Sequence, residues 1–166
     1  MGRRLVLGTL LLVMALGGIV QAHSLTYESD EGPLFSLSIP REWSVRTAGT
    51  RVVAAPADLT MWLGVWELDK RDATDVAMED ASHYLTAWFE DIQTTPAEKV
   101  RINGMACVRL GGTATHEGNA VRFSAVVFEP RPTRICLALG VWDDESQARI
   151  GPIEAALGSL RPAPGG

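Results

Sequence analysis

The sequence predicts an α+β fold built on an antiparallel sheet of about seven short strands. Three observations predict it. From Leu34 onward, apolar residues alternate with polar ones in short runs punctuated by turn residues. One segment only, beginning near Asp72, changes to helical spacing before the strands resume. The strands come in runs rather than in strict β–α–β alternation, which separates α+β from parallel α/β folds. A length of 166 residues with 46% hydrophobic residues suits one domain and excludes intrinsic disorder, which needs far less apolar surface. A net charge of −5 argues against a nucleic-acid partner, because binding the phosphate backbone requires a basic face.

The chain opens as an export signal. Arg3 and Arg4 precede the uncharged run Leu5–Val20, and the small-residue pattern Val20-Gln21-Ala22 suits cleavage after Ala22. The run has 16 residues, short of the ~20 that span a bilayer as a helix, and no basic cluster follows it. Residues 1–22 are therefore expected to be a signal peptide, with no stable membrane span after cleavage; retention as an anchor is the alternative. Loss of Arg3 and Arg4 leaves 13 bases against 20 acids, a mature charge of −7. Localisation is expected to be periplasmic, or else extracellular.

Residues 23–33 are polar and acidic, end in Gly-Pro, and read as a flexible arm. Leu34–Ile39 is a strand stopped by Pro40, which lacks a ladder donor. Residues 51–55 and 60–68 are strands; in the second, Met61, Leu63 and Val65 share one face and Trp62, Gly64 and Trp66 the other. Both faces are apolar, so the sheet needs cover on both sides, supplied by helices. Ala77, Ala81, Tyr84, Leu85, Trp88 and Ile92 form one stripe of an amphipathic helix that Pro96 ends. Asn103-Gly104 marks a two-residue hairpin turn. Strands follow near Val100 and over 106–115, 120–129 and 133–142, with Arg131 and Arg134 on a solvated loop between the last two. Asp143-Asp144-Glu145-Ser146 starts a closing helical segment, with acids at its positive pole. Residues 34–162 thus form one domain and 163–166 a disordered tail.

Three fragments carry a family likeness: Phe35-Ser36-Leu37-Ser38-Ile39-Pro40-Arg41-Glu42-Trp43, a strand ending in Pro-x-x-Trp; Ile102-Asn103-Gly104 before a meander of strands; and the ending Gly158-Ser159-Leu160-Arg161-Pro162. In their order and spacing the chain resembles the PsbP-like α/β/α sandwich family. That family includes extrinsic photosystem subunits, a Ran-binding nuclear protein and many bacterial envelope proteins. The resemblance implies a sheet with helices on both faces, and a binding or accessory domain without established catalysis. A shared fold does not identify a partner.

Motifs for enzymatic chemistry are absent from the sequence: it has no G-x-S-x-G elbow, H-E-x-x-H, P-loop or G-x-G-x-x-G. Cys107 and Cys136 are expected as small core residues. An oxidising compartment raises the alternative of a Cys107–Cys136 disulfide. In a simple meander, however, the middle strand would hold them about 9–10 Å apart, beyond the ~7 Å Cα limit for a bridge. His23 would be the first mature residue and could chelate copper through its amine and imidazole, with His83 or His116 as a second ligand; Glu79 and His83 stand i, i+4 on one helical face. The bland readings are a solvated surface pair and an ordinary turn histidine, and no cofactor is expected. Trp62 and Trp66, with Trp142 at the end of the last strand, form a candidate aromatic binding surface. The competing expectation is that the long helix, with Trp88 and Phe89, packs on that face.

The expected function is a non-catalytic exported domain that binds another envelope protein or stabilises an envelope complex; a toxin-blocking immunity protein is one version. The alternative is a periplasmic protein that binds a small molecule or copper.

Overall fold

The computed structural model describes residues 22–68 and 85–164. Residues 1–21 of the expected signal segment and the first part of the predicted helix, with Glu79 and His83, lie outside the described residues.

Strands occur at every segment where alternation predicts one, but the described residues contain eleven rather than seven. They are β1 (Ala22–Ser29), β2 (Gly32–Pro40), β3 (Ser44–Ala48), β4 (Arg51–Ala55), β5 (Met61–Glu67), β6 (Glu90–Thr94), β7 (Glu98–Ile102), β8 (Met105–His116), β9 (Asn119–Arg131), β10 (Arg134–Asp143) and β11 (Arg161–Pro162). A 3₁₀ segment, Asp144–Arg149, and the helix α1 (Gly151–Gly158) lie between β10 and β11. The large sheet runs β3-β4-β5-β10-β9-β8-β6, with β7 sharing the β8 edge; β1-β2-β11 form a second, small sheet. All pairings are antiparallel.

The alternation of β10 divides the core. Cys136, Ala138 and Trp142 face a cluster that contains Phe35, Leu37 and Ile39 of the small sheet and Ile153, Ala156 and Leu157 of α1. Ile135, Leu137, Leu139 and Val141 face the other side, where Leu85 and Phe89 pack with Phe123 and Trp66. One face of the large sheet is therefore covered by a second sheet as well as a helix, which corrects the expectation of helices on both faces. The arm expected at 23–33 is likewise β1 and its turn. His23, Leu25 and Tyr27 alternate with Ser24, Thr26 and Glu28 and stand opposite Ile39, Leu37 and Phe35, and the Tyr27 ring stacks on Phe35 at 4.8 Å. Ala163, assigned to a disordered tail, is buried and its N–H donates to the Leu34 carbonyl.

The helix expected to continue through Ile92 ends earlier. Residues 85–88 are helical, the Phe89 N–H closes on the Leu85 carbonyl, and β6 then pairs with β8 at Gly112–Thr115. A helix there would leave ladder groups of β8 without partners, and buried or edge backbone groups strongly favour pairing. Gly112 permits the close approach: a Cβ there would lie 2.0 Å from the Gln93 carbonyl oxygen. Asn103 and Gly104 both have positive φ, 49° and 83°, as the tight hairpin requires.

The fragments that carried the family likeness meet in space. The Asn103 side-chain amide donates to the carbonyls of Gly158 and Leu160 at 3.2 and 2.9 Å. The Ser38 N–H donates to Ser159 Oγ at 2.7 Å, and Arg161 Nε to Ser36 Oγ at 3.1 Å. They form a clasp that closes the C-terminal segment onto β2 and the β7–β8 turn, so the likeness reports fold closure.

Cys107 and Cys136 both stand opposite Phe128, one from each side of β9. Both are buried free thiols, so the alternative of a bridge between them is not realised; β9 holds them apart. Burial pushes both thiols upward in pKa, which disfavours the reactive thiolate. The folded protein should leave both unlabelled by a thiol reagent that modifies two groups in denaturant. A mass two hydrogens short in unreduced protein would contradict this.

Candidate functional site

The strands β3, β4 and β5 build a concave aromatic site on the face opposite the small sheet. Period-two geometry puts Trp62, Gly64 and Trp66 on that face of β5. The register Val53–Gly64 and Arg51–Trp66 brings Arg51 and Val53 onto the same face of β4, and Arg46–Val53 adds Arg46 from β3. Gly64 lets the two indoles close together, because a Cβ there would lie 2.9 Å from Trp66 Cζ3 and 3.1 Å from Trp62 Cζ3. Both indoles fold over that missing side chain.

Trp88, at the end of the helical residues, forms the opposing wall. Its ring lies 6.5 Å from Trp62 at a 46° tilt, and the Arg51 guanidinium sits 4.7 Å above it, a favourable cation–π arrangement. His116 closes one end, donating from Nδ1 to the Trp88 carbonyl at 3.0 Å. Leu59 forms a lip: it is 71% exposed at φ 55°, a left-handed conformation that costs a non-glycine residue about 1–2 kcal/mol. The cavity encloses about 330 Å³, at the lower end of the ~300–1,000 Å³ range of small-molecule sites. Its described lining holds two arginines and no carboxylate.

The arrangement suits binding. Ser44 and His116 both line the cavity, yet Ser44 Oγ donates to the Ala55 carbonyl and His116 to that of Trp88, so each is engaged with backbone rather than with the other. Of the tryptophans predicted for this surface, Trp62 and Trp66 are together. Trp142 is not: it faces the other core, and its indole N–H donates to Gln147 Oε1 at 2.9 Å. Of the segment expected to cover this face as a long helix, the described residues Leu85 and Phe89 pack there, the Phe89 ring stacking on Phe123 at 6.0 Å, while Trp88 stays at the rim and the rest of the segment lies outside the described residues. His23 lies in the small sheet and His116 in the large one, so the structure does not bring these two candidate copper ligands together. Among the described residues no three His, Cys, Asp or Glu side chains are grouped as a metal site. Arg46 and Arg51 were missed because neither lies in a motif; the alternation of 51–55 was the available signal.

Arg134, expected on a solvated loop, is buried. Its guanidinium pairs with Glu67, with Asp30 at 2.9 Å and with Glu31 at 2.7 Å. The hydrogen bonds to Glu67 above all hold it protonated. Arg131 donates to the Pro33 carbonyl at 2.6 Å.

The predominantly antiparallel sheet is a PsbP-like fold, as comparison with solved structures shows. The sequence matches no family model and no curated protein. The cyanobacterial PsbP of Synechocystis sp. PCC 6803 superposes with a TM-score of 0.59 at 18% identity, covering 95% of this chain and 99% of that one. LpqN of Mycobacterium tuberculosis, involved in cell envelope biogenesis, gives 0.55 at 14% identity over 87% and 91%. PA94 of Pseudomonas aeruginosa, a protein of unknown function, gives 0.53 at 17% over 86% and 99%. Among the described residues no helix is long and apolar enough to cross a membrane.

Proposed function

We propose that this chain is an exported, non-catalytic accessory domain of the cell envelope that recognises its partner through the Trp62/Trp66/Trp88 cavity. The observation that carries the reading is the cavity itself: an aromatic floor rimmed by arginines, with the serine and histidine of its described lining engaged to backbone carbonyls. The envelope role of LpqN, which shares the fold, supports the setting. Large rings with polar edges are typical recognition surfaces. The cavity volume favours a second version, in which the bound species is a small molecule rather than an envelope protein.

The test has two parts. Protein recovered from the periplasmic fraction should have the mass of a chain beginning at His23; recovery only with residues 1–22 attached and membrane-bound would overturn the export reading. A photo-crosslinking residue in place of exposed Leu59 should capture one defined envelope component, and Trp62→Ala should reduce that capture at least fivefold. Unchanged capture would place recognition elsewhere.

A further inference from the structure

We infer that the cavity takes an amphipathic anion: one apolar chain or ring ending in a carboxylate or phosphate. This rests on the reading of the cavity as the recognition site and assigns its ligand chemistry. The lining divides into two parts. The floor is apolar, made of Trp62, Trp66, Val53, Ala55 and Met61. The mouth carries Arg46 and Arg51, which neighbour each other diagonally across β3 and β4, a spacing of about 7–8 Å.

Two cations on one sheet face, their backbones about 7–8 Å apart, repel. Among the described residues neither forms an ion pair, although the chain as a whole carries −5. An anion between them would relieve the repulsion. Arg51 also lies with its guanidinium against the Trp88 face, and stacking uses the face of the group while leaving its in-plane N–H donors free for an oxyanion. The leucine lip, held at positive φ and 71% exposed, extends the apolar wall on the side where an alkyl chain or ring would leave the floor. About 330 Å³ has room for one such chain or ring.

The experiment uses the protein as isolated from its cells, with indole emission as the readout. The probes are decanoate, decyl phosphate, decanol and acetate, each below its micellar concentration. Decanoate or decyl phosphate should bind at least tenfold more tightly than decanol, and acetate should not saturate. The tighter of the two anions identifies a carboxylate or a phosphate source. Raising the salt should weaken the anions and spare decanol. The double substitution Arg46→Gln and Arg51→Gln, at exposed positions, should remove the tenfold advantage, with the anions losing about tenfold more affinity than decanol, and a far-UV circular dichroism spectrum checks that the variant is folded. Equal binding of decanol and both anions would overturn the anion assignment while leaving an apolar binding cavity. Failure of every probe, with Leu59 still crosslinking an envelope protein, would overturn the ligand class and leave the accessory-domain reading intact. An anion advantage that survives the double substitution would also sink the proposal.

Discussion

Arg134→Ala should destabilise the protein by about 2–3 kcal/mol, read as a fall in the urea midpoint with unchanged slope. The side chain is only 5% exposed, and it ties the β1–β2 turn, through Asp30 and Glu31, to the end of β5, through Glu67. Removing it leaves Glu67, itself 16% exposed, beside buried Tyr27, whose hydroxyl accepts the Glu67 N–H and donates to the Thr50 carbonyl. A fully buried pair broken on one side costs about 3–5 kcal/mol. The cost here is lower because the cover is thin: Asp30 and Glu31 are 74% and 55% exposed, and water can take Arg134's place against them. Arg134→Lys should fall between, since an ammonium keeps the charge but cannot present a planar fork to three acids. A loss within about 0.5 kcal/mol for Arg134→Ala, the range of ordinary surface changes, would show that the cluster contributes nothing.

Gly140→Ala should cost about 2–3 kcal/mol by overpacking. Gly140 lies in β10 between Leu63 of β5 and Ser124 of β9, directly under α1. A methyl group there would lie 2.3 Å from Ile153 Cγ2. Ile153 is buried and β-branched, so its χ1 has little freedom to swing away within a helix. The eight-residue α1 buries Ile153, Ala156 and Leu157, too few for it to shift and still seal the core. Pairing Gly140→Ala with Ile153→Ala removes the clashing carbon. The double variant should then be more stable than the sum of the singles by about 1 kcal/mol or more. Strict additivity would place the clash elsewhere.

The sheet was legible where both faces are apolar. Residues 60–68 and 133–142 alternate between two cores, and that pattern survives any tertiary context. The strands that escaped had no such contrast. β3 is exposed along its whole length, so its sequence shows no buried face. β6 contains a single partly buried residue, Ile92, whose spacing also fits the preceding helical stripe. β1 hid its alternation of His23, Leu25 and Tyr27 among serines and acids. Arg134 looked like loop chemistry because sequence spacing cannot show three acids converging from 104, 103 and 67 residues away.

By itself, the sequence determined the local periods, the Asn103-Gly104 turn, the helix start at Asp143, whose side chain accepts the Ser146 N–H at 2.7 Å, and the separation of the two cysteines by a middle strand. These follow from backbone geometry within a few residues. Tertiary structure decided what covers each described face, why Trp142 is parted from Trp62 and Trp66, and that two arginines on neighbouring strands line one cavity with three indoles. Those outcomes depend on strand order and on which side of the sheet each distant segment packs, and the energy that selects them is burial summed over the whole core rather than any local preference.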